Sequence, residues 1–149
     1  FGHEWYTNFT PEEQHTMLTL WCLFGSPLML GCELTKLDDA TLALLTNRDV
    51  LSMLTPDCKP HQVCLDDEKA IWCAYNAVTG EHFAAFFNLS DETQTIHCDI
   101  ETLHVGDEPC AHKDASLTEL WSKEKTSVSG SAISVTPPAH GCLVFRVEN

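Results

Sequence analysis

LWCLFGSPLMLGCEL, residues 20–34, is almost wholly apolar, yet Gly25, Ser26 and Pro27 break its middle. A membrane span needs about 20 unbroken apolar residues, and this interrupted run does not supply them. Pro27 has no backbone N–H and biases Ser26 away from helical geometry. The stretch therefore reads as the end of a buried helix, a tight turn and a short buried strand, Leu28-Met29-Leu30. That strand lacks alternation, as expected of a parallel strand covered on both faces. Helix, turn and buried strand follow one another in this order at the bottom of an α/β barrel.

On either side, residues 1–54 read as helical. Thr10-Pro11-Glu12-Glu13 is a capping box, with a hydroxyl at the N-cap, Pro at the first helical position and Glu at the third. Met17, Leu20, Trp21 and Phe24, with Leu18 and Cys22 beside them, predict a broad buried face, which Gly25 ends. Asp38 or Asp39 caps a second helix carrying Leu42 and Leu45. Asn47 stops that helix or caps a further turn over residues 48–54. These elements cannot cover a strand on both sides, because a barrel needs eight strands. Leaving Trp21, Phe24, Leu28 and Leu30 in water would forgo roughly 1.5–3 kcal/mol each. Residues 1–54 are therefore expected to be the end of a larger unit, covered by the rest of a barrel or by another chain. Phe1 is not a start residue, so the true N-terminus is expected upstream.

From about residue 55 the period changes. Residues 55–61, with Pro56 and Pro60, read as a linker, and residues 62–149 as an antiparallel β-sandwich. Ala70–Val78 is a strand with its turn at Thr79-Gly80-Glu81. HFAAFFNL, residues 82–89, is apolar on both faces and so central. Residues 95–100 alternate, with Ile96, Cys98 and Ile100 inward. Residues 116–121, 132–136 and 142–147 complete the set, punctuated by Gly130 and the Pro137–Gly141 corner.

Composition narrows the function. The 149 residues carry a net charge of -14 with His neutral, which repels phosphate backbones and anionic lipid surfaces and argues against nucleic-acid and membrane partners. Of the 8 Cys, five lie inside apolar runs and none forms a CxxC. Reduced thiols and a reducing, cytoplasmic compartment are expected. Cys58, His61 and Cys64 form the one dense cluster of soft ligands; without a fourth ligand they predict no metal, and no cofactor is expected. Asn8-Phe-Thr10 and Asn88-Leu-Ser90 fit the glycosylation pattern, a match short enough to arise by chance. No GxSxG elbow is present.

The stretch FTPEEQHTMLTLWCLFGSPLMLGCELTKLDDATLALLTNRDVL, residues 9–51, resembles the end of the catalytic barrel in melibiase-type α-galactosidases and α-N-acetylgalactosaminidases, glycoside hydrolase family 27. Leu20-Trp21, Ser26-Pro27-Leu28, Gly31-Cys32-Glu33-Leu34 and Leu44-Leu45-Thr46-Asn47 occupy the matching places, with Glu33 where the family has Asp. Trp72, Phe86-Phe87-Asn88, Glu119-Leu120-Trp121-Ser122 and the Pro-Pro-x-His-Gly corner are similar to the family's C-terminal β domain, more loosely. The resemblance implies an α/β plus all-β protein: the C-terminal end of a (β/α)8 TIM barrel followed by an antiparallel β-sandwich. Leu28–Leu30 would be its eighth strand.

The same resemblance implies a retaining glycosidase acting on terminal α-galactosides or α-N-acetylgalactosaminides. In such an enzyme one Asp attacks the anomeric carbon and a second serves as acid, then base, about 5–5.5 Å away. It places that pair on the fourth and sixth barrel strands, ahead of Phe1, so no catalytic residue is assigned in this chain. His3 and Trp5 would lie on the loop after strand seven and Glu33 after strand eight, at the barrel mouth where sugar binds. Trp5 can stack on a sugar or simply anchor the rim; His3 can be an ordinary loop imidazole; Glu33 can accept sugar hydroxyls or cap its own loop. A different class of function is a non-catalytic β-sandwich module, with or without carbohydrate affinity.

Overall fold

The computed structural model describes residues 5–149. Three helices come first: α1 (Pro11–Phe24), α2 (Asp39–Leu45) and the single turn α3 (Arg48–Leu51). Ten strands follow: β1 (Cys58–Leu65), β2 (Lys69–Asn76), β3 (His82–Asn88), β4 (Ile96–Asp99), β5 (His104–Val105), β6 (Glu108–Pro109), β7 (Ser116–Glu119), β8 (Lys125–Ser127), β9 (Ala132–Val135) and β10 (Cys142–Glu148). The main antiparallel sheet has the order β1-β2-β3-β10-β7-β8; β4 pairs with β9 and β5 with β6. The fold is an antiparallel β-sandwich with helices added to one face.

Alternation along β3 explains the layers. All seven of its residues are buried. Ala84 and Phe86 join Ile96, Cys98, Ile133 and Val135 of the β4–β9 ribbon in one core. Phe83, Ala85 and Phe87 point the other way, into a second core with Leu18, Cys22 and Leu23 of α1 and Val50 of α3. A strand apolar on both faces thus sits centrally in an antiparallel sheet that is covered twice.

Local chemistry sets the helix ends. The capping box is complete: Glu13 N–H donates to Thr10 Oγ1 (3.2 Å), and Thr10 N–H to Glu13 Oε2 (2.8 Å). Gly25 closes α1 at φ 67°, a left-handed conformation that favours glycine. Asp38 caps α2, and Asn47 caps α3.

Four expectations need correction. The buried face of α1 is Leu18, Thr19, Cys22 and Leu23; Met17 and Phe24 are exposed and Leu20 and Trp21 only half-buried. The sandwich, not a barrel, supplies the helix's covering partner here. Leu28–Leu30 forms no strand ladder here: it has no pairing partner among the described residues, and Met29 and Leu30 are exposed. A strand requires a neighbour to receive its backbone hydrogen bonds. The further turn ends at Leu51, not Leu54. Finally, β1 begins at Cys58, inside the expected linker. It is an edge strand, and an edge tolerates Pro60 because a missing N–H there breaks no interior ladder.

No helix among the described residues is long and apolar enough to cross a membrane.

Candidate functional site

α1 is fastened to the sandwich by specific polar contacts. Thr16 Oγ1 donates to the His140 carbonyl (2.8 Å), and Trp121 Nε1 to Thr19 Oγ1 (2.9 Å). The His15 and Trp121 rings meet edge-on at 4.5 Å. α3 is held by charge: Asp49 takes Lys123 Nζ and, at 3.3 Å, Arg146 Nη2. The Lys123 hydrogen bond is the main reason the Asp49 carboxyl sits below its usual range, with burial opposing it. Arg146 Nε also lies 3.0 Å from Glu81 Oε1, aligned as an ion pair rather than a hydrogen bond.

These contacts fix one side of the helical segment and leave the other bare. Nine of the twelve large apolar residues exposed among the described residues fall between positions 5 and 42. Trp5 is 80% exposed, Tyr6 88% and Met29 79%; Phe9, Leu30 and Leu34 are exposed as well, and Phe24 is exposed apart from an edge-on contact with the Trp72 ring at 4.8 Å. Scattered single apolar residues need no explanation, but so many in one short stretch of chain mark an interface. This bare segment is the candidate site of contact.

The residues expected near a sugar fall as follows. His3 lies outside the described residues. Trp5 is in an irregular segment with its ring almost wholly in solvent. Glu33 is exposed and already engaged: Thr35 Oγ1 donates to its Oε1 (2.7 Å), and Thr35 N–H does so at 3.4 Å. It thus caps the 3-10 turn Leu34–Lys36, and the Thr35 hydroxyl, more than the amide, lowers its pKa. Trp5 and Glu33 are both open to solvent.

No group of three or more His, Cys, Asp or Glu able to hold a metal gathers among the described residues. The Cys58–His61–Cys64 cluster is dispersed by its strand. Cys58 packs into the helix-side core. A bulge between Gln62 and Cys64 turns Cys64 to the opposite core, and His61 stacks on His104 at 5.5 Å. A depression of about 580 Å³ lies beside the β5–β6 hairpin, lined by Glu101, Leu103, His104, Asp107 and His112 among others. Sequence reasoning missed this hairpin, whose strands are two residues each, too short to carry periodicity.

Comparison with known proteins agrees with this architecture. Residues 66–147 match the profile of the α-galactosidase C-terminal β-sandwich domain. α-Galactosidase A of Cellvibrio japonicus is 25% identical over 146 residues, which cover 93% of this chain and 36% of that protein. The crystal structure of a family GH27 β-L-arabinopyranosidase from Geobacillus stearothermophilus superposes with a TM-score of 0.86 and 30% identity, over 99% of this chain and 32% of that one. α-Galactosidase I of Mortierella vinacea shares the fold, with a TM-score of 0.81 at 18% identity, over 93% of this chain and 36% of its own. The chain spans about a third of the length of these relatives. With more than half of its residues inside the domain profile, the chain belongs to the family of α-galactosidase C-terminal β-sandwich domains.

Proposed function

We propose that this chain is the C-terminal part of a retaining glycoside hydrolase acting on terminal α-galactosides or α-N-acetylgalactosaminides. Residues 1–54 complete its (β/α)8 barrel, and the catalytic Asp pair stands on barrel strands that this chain does not contain. The observation that carries the reading is the bare apolar segment between residues 5 and 42. Covering each of those side chains would contribute about 1.5–3 kcal/mol, and the rest of a barrel is a cover of the right kind. Unpaired Leu28–Leu30 supports the same view, since an eighth strand has no ladder until the first and seventh flank it. On this reading His3, Trp5 and Glu33 stand at the mouth of the barrel, toward the sugar.

The partner of residues 1–54 is then the remaining barrel, and the substrate is a carbohydrate with a galactose-configured ring. β-L-Arabinopyranose, the sugar in the name of one structural relative, has the ring configuration of α-D-galactose without its hydroxymethyl group. It belongs among the substrates to try.

The test uses nitrophenyl glycosides of α-galactose, α-N-acetylgalactosamine and β-L-arabinopyranose. The protein carrying this chain together with the barrel is expected to release nitrophenol from at least one of them, and residues 1–149 alone from none. Turnover by residues 1–149 alone would place the nucleophile here and overturn the proposal. Inactivity of the barrel-bearing protein on all three would do the same.

A further inference from the structure

Cys73 and Cys110 are brought together by two sets of backbone constraints. Cys73 lies on β2, directly opposite Ala84 of β3. The Cys110 thiol donates to the carbonyl of Phe83, the residue just before Ala84, at 3.3 Å. In the other direction, the Cys73 thiol donates to the His104 carbonyl at 3.1 Å. His104 is paired with Pro109, the neighbour of Cys110, and Cys110 N–H donates to the Leu103 carbonyl at 2.7 Å. Each sulfur thus reaches backbone next to the other's residue. Both are fully buried.

We propose that Cys73 and Cys110 are a disulfide-forming pair that, under an oxidising thiol–disulfide poise, staples the β5–β6 hairpin to β2. The oxidant is a small disulfide such as oxidised glutathione. One protein thiol loses its proton and attacks a glutathione sulfur, expelling a glutathione thiolate. The second protein thiolate attacks the mixed disulfide and expels the other. One S–S bond is consumed and one formed, two glutathione thiols leave with the two protons, and the protein is oxidised by two electrons.

Access comes through the hairpin. Its strands are two residues long, and residues 106–109 are exposed. Local opening of so small a unit requires far less than global unfolding. Opening frees Cys110 and uncovers Cys73.

The remaining thiols are placed differently. Cys22, Cys58 and Cys142 belong to the core on the other face of the sheet, each pushed up to about 11 by burial. Cys98 turns toward Thr102 Oγ1 at 3.3 Å. Cys64 is half-buried against the core that holds Cys73 and Cys110, and Cys32 is exposed and belongs to neither core.

The experiment equilibrates the whole protein in glutathione buffers of graded poise until its state no longer changes. Free thiols are then alkylated under denaturing conditions, and the peptides mapped by mass spectrometry. The expected product at oxidising poise is a Cys73–Cys110 linked pair, lighter by two hydrogens, with Cys22, Cys58 and Cys142 alkylated. Amide exchange over residues 104–110 should slow by about tenfold or more on oxidation, and this slowing should vanish in Cys110→Ala. Should that variant fail to fold, Cys73→Ala serves, and the wild-type map decides by itself. Alkylated Cys73 and Cys110 at a poise where Cys32 already carries glutathione would overturn the pairing, as would linkage of either to a different cysteine.

Discussion

Glu119 is 3% exposed and carries a carboxylate into the core. Its Oε2 accepts the N–H groups of Trp121 (2.9 Å) and Ser122 (2.6 Å), and its Oε1 accepts that of Val144 (3.2 Å). One side chain thus caps the turn after β7 and ties it to β10. Glu119→Ala orphans three amides and should cost about 3–5 kcal/mol; Glu119→Gln, which keeps one acceptor oxygen, should cost less. Chemical denaturation of both variants checks this, and an Ala cost under about 1 kcal/mol would show water replacing the carboxylate. Asn88 plays a comparable part. It is 1% exposed, its Nδ2 donates to the carbonyls of Glu92 (2.8 Å) and Pro138 (3.0 Å), and its Oδ1 accepts from Ser90. The Asn88-Leu-Ser90 pattern therefore serves the corner and leaves no amide free for a glycan in the folded chain. Asp49 gives a pH signature. Its pKa is lowered by folding, so its contribution is present above the unfolded carboxylate pKa of about 3.9 and is lost as pH falls below it. Asp49 is more than a third exposed, so solvent screening holds the pair to about 1 kcal/mol or less. Asp49→Asn should be less stable than wild type at pH 7 and indistinguishable from it near pH 2. A gap that persists at the acid end would assign the loss to packing.

What could be read from the chain without its structure follows the range of the forces involved. The α1 cap was legible because Thr10, Pro11 and Glu13 make it among themselves. Asp38 and Asn47 acted locally in the same way. The inward pair Ile96 and Cys98 was legible because alternation is written along one strand; Ile100, also buried, already opens the 3-10 turn that follows it. The face of α1 was not. Met17, Trp21 and Phe24 form as good a helical stripe as Leu18, Cys22 and Leu23, and only the partner decides which is covered. The start of β1 was hidden by Pro56 and Pro60, whose cost depends on whether the strand lies at an edge. The contact of Cys73 with Cys110 likewise depends on register between β2, β3 and the hairpin. At this scale Thr10→Ala is a clean probe of the local part. It removes one half of the capping box and should cost about 1 kcal/mol, read as a lowered denaturation midpoint with an unchanged slope. An unchanged midpoint would mean that packing of α1 on the sandwich, not its cap, holds the helix in place.

At the scale of the molecule, α1 has two stripes that should respond to different partners. Leu18 is 1% exposed against the sandwich, so Leu18→Ala should cost about 2–5 kcal/mol whether or not a barrel is present. Trp21 is half-buried here, and its indole N–H donates to the Pro27 carbonyl at 2.9 Å. In residues 1–149 alone, Trp21→Ala should cost little more than that hydrogen bond, about 1 kcal/mol. With a barrel covering the stripe, the same substitution opens a cavity and should cost about 3–5 kcal/mol. The comparison therefore needs both variants in both proteins, with Leu18→Ala as the internal standard that the barrel leaves unchanged. A Trp21→Ala cost that grows severalfold on adding the barrel supports a covered face. Equal, small costs in both would leave Met17, Trp21 and Phe24 in water and assign the bare segment to some other partner.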